Sequence, residues 1–120
     1  MQSPSLSPQR ESWLRCRRSL ASRVAQDPLF AIPVQAIDWA VAHGISERTH
    51  ARLSLDRLVI SDAELRAEGG SMLVLIPKPD TVELRLYRDS GLVEKVESDR
   101  SHLCEQLARL VSQFRGASDL

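Results

Sequence analysis

A chain of 120 residues is long enough for one modest hydrophobic core, and 42% hydrophobic content is that of an ordinary globular protein. Its 16 basic and 16 acidic residues cancel to a formal charge of zero, which excludes a globally basic nucleic-acid binder. No apolar run approaches the roughly 18 residues of a membrane span, so no membrane partner is expected.

The charge is spread unevenly. Residues 1–25 hold five Arg against Glu11, a net of +4, and the rest of the chain nets −4. Met1 to Pro8 contains Ser3, Pro4, Ser5, Ser7 and Pro8 and reads as a flexible tail. A single domain is expected over 9–116, followed by a flexible C-terminus at 117–120. The Ser- and Arg-rich start also has the composition of an organellar transit peptide, although a cytoplasmic location is the reading adopted.

A first helix is predicted from Arg10 to about Ala25, with Trp13, Cys16, Leu20, Ala21 and Val24 as its apolar stripe. Its other faces carry Arg15, Arg17, Arg18 and Arg23, either a solvated face or a patch for an anionic partner. Asp27-Pro28 ends this helix, and Pro33 fits the opening of a second one over Val34 to His43. His43-Gly44 is a stop signal, because glycine takes the left-handed conformation of a helix end and a histidine there interacts well with the dipole.

A third helix is expected to start at Ser46 and run through Arg48 and His50 to Leu53, or as far as Leu58. Leu58-Val59-Ile60 reads equally as a short strand or as the buried end of that helix. Ser61-Asp62-Ala63-Glu64 has capping-box spacing, which predicts a short helix over 62–67 ended by the flexible pair Gly69-Gly70. Three strands follow, at 72–77, 82–88 and 92–97. The second alternates Val82, Leu84 and Leu86 with Glu83, Arg85 and Tyr87. Lys78-Pro79-Asp80-Thr81 and Arg88-Asp89-Ser90-Gly91 supply the turns, Gly91 being available for a positive φ. Asp99 or Ser101 caps a last helix, with Leu103, Leu107, Leu110, Val111 and Phe114 on one face, ending at Gly116. The expected fold is α+β: an N-terminal helical half, then a three-stranded antiparallel meander packed with a C-terminal helix.

Enzyme signatures are missing from the sequence. Gly69-Gly70 lacks the lysine and the frame of a phosphate loop, and no CxxC, HxxxH or HExxH spacing is present for zinc. Cys16 and Cys104 form no pattern and are expected to be free thiols. No metal, no cofactor and no catalytic residue is therefore assigned. Two binding functions remain. Ala40, Gly44 and Ile45 fit the turn between two crossing helices, and a hairpin follows, which is the order of a winged helix. Arg48, Thr49 and Arg52 would then face DNA, with support from Arg15 and Arg18. Against this, residues 44–60 net only +1, and the hairpin carries Asp80, Glu83 and Asp89.

The other reading is a non-enzymatic regulator or adaptor that binds a protein. A short meander leaves an edge strand open, and Tyr87, Arg85 and Val93 are placed on its outer face. A net charge near zero also permits a homodimer. The protein-binding reading is taken first and the DNA-binding one second.

Overall fold

The computed structural model describes residues 7–55, 57–62, 70–89 and 91–114. Helix α1 spans Pro8–Ala21 and is set by its first residues. The Ser7 hydroxyl accepts from the Arg10 amide at 3.1 Å, and Pro8 stands where no backbone donor is needed. Trp13, Cys16 and Leu20 are its buried stripe, as the periodicity predicts, while Ala21 is the exposed last residue of the helix and Val24 lies past it in a turn. Asp27 caps a 3-10 turn over Pro28–Phe30, its carboxylate accepting from the Leu29 amide at 3.0 Å. Helix α2 then spans Ala31–Ala42, three residues earlier than predicted, so Pro33 is inside its first turn rather than at its start. Arg17 of α1 reaches Asp38 of α2 with Nε at 2.6 Å and Nη2 at 3.2 Å, joining the two helices. Gly44 ends α2 at φ 74°, the left-handed conformation expected of it. His43 donates from Nδ1 to the Trp39 carbonyl at 2.9 Å, a helix-end contact.

Beyond Gly44 the structure departs from the sequence reading. A 3-10 turn, Ile45–Glu47, replaces the start of a third helix, and strand β1 follows at His50–Ser54. Strand β2 spans Arg57–Ser61. Among the described residues no recognition helix forms between 46 and 58, and the sheet has five strands, not three. The physical reason lies in the pattern itself. Ala51 and Leu53 alternate with His50, Arg52 and Ser54, and Leu58-Val59-Ile60 is a short apolar run containing the β-branched pair Val59-Ile60, so both segments fit a pleat. As a helix, the same stretch would have set His50 against the core.

Strands β3 (Ser71–Pro77), β4 (Val82–Arg88) and β5 (Gly91–Ser98) complete an antiparallel meander in the order β1-β2-β3-β4-β5. Helix α3 spans Leu103–Val111 after a 3-10 turn at Arg100–His102. The α+β class therefore holds. The short helix expected over 62–67, its glycine hinge, the end of α3 at Gly116 and both tails lie largely or wholly outside the described residues.

One face of the sheet carries the core. Leu58, Ile60, Leu73, Leu75, Val82, Leu84 and Leu86 join Trp13, Leu20, Ile37, Leu103, Leu107, Leu110 and Phe114 in a single buried cluster. A sheet with one apolar face and helices with apolar stripes cover each other in this way.

Candidate protein interface at the open sheet edge

The two edges of the sheet are not alike. At β1, α1 lies along the strand. The Trp13 indole donates to the Thr49 carbonyl at 3.0 Å, and the Ser12 hydroxyl accepts from the Ala51 amide at 2.9 Å. Two backbone groups that an added strand would need, the Thr49 carbonyl just before β1 and the Ala51 amide within it, are thereby occupied. At the other edge is β5, an eight-residue strand with an exposed burial pattern along most of its length. Leu92 is 55% and Val93 49% exposed, two of the three large hydrophobic residues exposed among the described residues. The third, Leu55, is at the far end of the sheet in the β1–β2 turn.

Alternation predicts Tyr87, Arg85 and Val93 together on an outer face, and the β4–β5 register changes this at Val93. Leu86 pairs with Glu94 and Tyr87 with Leu92, which leaves Val93 as the extra residue of a β-bulge. The bulge turns Leu92 to the same side as Tyr87, although simple alternation puts Leu92 with Val96. Val96 faces the other way and packs on the core. Leu92 is thus a surface residue missed by alternation; only the pairing of β5 with β4 reveals it. The positive φ of the β4–β5 turn falls on Asp89, at 53°, and not on Gly91. Aspartate is among the few side chains that adopt this conformation readily.

The outer face continues across all five strands. Met72 lies opposite Tyr87 and Val74 opposite Arg85, with Val59 next in line on β2. Met72, Val74 and Ile76 are half-buried and stand outside the helix-covered core cluster, as does Val59, which is itself buried. Charge surrounds this strip in rows. Arg85 is directly opposite Lys95, and Glu83 directly opposite Glu97, so like faces like in both rows. Lys78 from the β3–β4 turn relieves the anionic row, with Nζ at 2.9 Å from Glu83 and 3.0 Å from Glu97. Arg85 also binds the Glu83 carboxylate, whose side chain is only 3% exposed. Hydrogen bonds from Lys78 and then Arg85 hold that carboxyl at about 2, well below the usual 4.5, against the opposing effect of burial. On the core side, Glu94 meets Arg109 of α3 at 2.8 Å, tying the helix to β5.

Of the five residues proposed for DNA contact, two lie together and one is buried. Arg15 and Arg52 line the same groove between α1 and β1, a cavity of about 260 Å³ floored by Cys16, Ala51 and Leu53. An adjoining cavity of about 430 Å³ adds His50 and Glu11. Thr49 is buried, its hydroxyl donating to the Ile45 carbonyl at 2.7 Å. Arg48 is at the end of the 3-10 turn, and Arg18 is exposed in the last turn of α1. Both cysteines are free. Burial pushes the Cys16 thiol up to about 11, with Arg15 acting weakly in the opposite direction. Among the described residues, no group of three or more His, Cys, Asp or Glu could hold a metal ion, and no helix is long and apolar enough to cross a membrane.

Neither a family model, nor a curated protein, nor a solved structure matches this chain.

Proposed function

We propose that this protein is a small non-enzymatic regulator or adaptor that binds a protein partner along β5 and the adjoining outer face of the sheet. The observation that carries the reading is the asymmetry of the two edges. Helix α1 takes up the Thr49 carbonyl and the Ala51 amide at the β1 edge, while among the described residues no strand pairs with the outer edge of β5, where Leu92 and Val93 are exposed beside Tyr87. An open strand offers main-chain hydrogen bonds, and pockets or exposed side chains beside it select the partner. Tyr87 and Arg85 are the residue types that carry binding energy at such surfaces.

The test is affinity capture from the native source, comparing the wild-type protein with Tyr87→Asp and Val93→Asp. Both variants are expected to melt normally and to lose the same captured protein. Retention of every captured protein by both variants, with folding unchanged, overturns the reading.

A further inference from the structure

We propose that the occupant of the β5 edge is a second copy of this chain, paired antiparallel about Val96 so that Lys95 of each subunit faces the partner's Glu97. Assigning a second copy rests on β5 being the binding edge. A two-fold axis perpendicular to the sheet keeps both outer faces on one side, so one residue of β5 must lie opposite its own copy. Directly opposite residues in an antiparallel pair share a face and are close enough for charges to attract or repel.

Five residues form the regular part of β5 beyond the bulge, and each can be tried as the centre. Centring on Glu94, Lys95 or Glu97 sets that charge against itself. Centring on Ser98 sets Glu97 against the partner's Asp99. Centring on Val96 opposes no like charges. It pairs Lys95 with the partner's Glu97 twice, and Glu94 with the partner's Ser98 twice.

The same register resolves the like-against-like rows within one subunit. Arg85 and Lys95 form a cationic row, and Glu83 and Glu97 an anionic one. In the Val96-centred dimer the cationic row of one copy runs directly into the anionic row of the other, on both sides of the axis. A strand edge bearing a lysine, a bulge and an inward-facing glutamate is normally protected from indiscriminate pairing. Here those features reject the other registers and leave one open, which is the behaviour of a specific, closed interface rather than a fibre-forming edge.

Sedimentation equilibrium over a concentration series, run on the full chain, tests this directly. The wild-type protein is expected to dimerise. Lys95→Glu and Glu97→Lys are each expected to weaken dimerisation about tenfold or more, by turning two attractions into two repulsions. The double variant Lys95→Glu/Glu97→Lys restores both attractions and is expected to recover the dimer. A second measurement needs no substitution: carbodiimide coupling of a mixture of isotope-labelled and unlabelled wild-type protein should yield Lys95–Glu97 crosslinked peptides of mixed label. A monomeric wild-type protein, or a dimer indifferent to the swaps and without mixed-label crosslinks, overturns the proposal. If the protein is monomeric while Tyr87→Asp and Val93→Asp still abolish capture of another protein, only the second copy falls and β5 stands as the binding edge. Capture unaffected by both substitutions removes the edge itself.

Discussion

The Trp13 indole nitrogen and the Thr49 carbonyl oxygen, 36 residues apart in sequence, are joined by a buried 3.0 Å hydrogen bond. This contact docks the first helix on the first strand and, with Ser12 on Ala51, closes that edge of the sheet. Replacing the indole by a phenyl ring keeps most of the packing and strands a buried carbonyl. Trp13→Phe is therefore expected to cost about 1–3 kcal/mol in urea unfolding. A loss under about 0.3 kcal/mol would show that the bond contributes nothing to α1 docking.

Leu107 is fully buried on α3 among core residues. Truncation to alanine removes apolar contact and leaves a cavity, so Leu107→Ala should lower stability by about 2–5 kcal/mol. A change within about half a kcal/mol, the range of ordinary surface substitutions, would place this face of the helix elsewhere.

Leu55 sits at φ 60° in the β1–β2 turn and is 87% exposed. A leucine gains nothing there from burial and is strained by its left-handed backbone. Asparagine tolerates that conformation, so Leu55→Asn is expected to raise stability by up to about 1 kcal/mol. Thermal unfolding of the two proteins side by side decides it; a lower melting temperature for the variant would contradict the strained turn.

Glu83 is held ionised by Lys78 and Arg85, with its folded value at about 2 against an ordinary 4.5. Because the folded value is depressed, the stabilisation is complete above the ordinary value and drains away as the pH falls from about 4.5 towards 2. Thermal melts across this window should therefore show a steeper acid loss for the wild-type protein than for Glu83→Gln. Parallel pH profiles would mean that the carboxylate is not held by its partners in the fold.

Much of the second half of the chain was legible from short-range pattern. Val82, Leu84 and Leu86 alternate, and Leu103, Leu107, Leu110 and Val111 recur at helical spacing, so each element's buried face follows from its own residues. Gly44 announced its left-handed helix end, because few other residues adopt that backbone without strain. The outer placement of Tyr87 and Arg85 follows from the same alternation that buries their neighbours.

What tertiary structure decided is the identity of the middle of the chain and the shape of its edge. Ala51 and Leu53 suit one face of a strand, yet the surrounding residues also carry a helix start signal at Ser46, so local propensity leaves the choice open. Pairing with β2, the Ala51 amide's bond to the Ser12 hydroxyl and the Trp13 indole's bond to the Thr49 carbonyl, each from more than thirty residues away, settle it as strand. The bulge at Val93 arises from the register between β4 and β5, and so the outward turn of Leu92 cannot be read from β5 alone. Periodicity reports the face an element buries; which edge stays open depends on partners distant in sequence, whose backbone groups either take up its hydrogen bonds or leave them exposed.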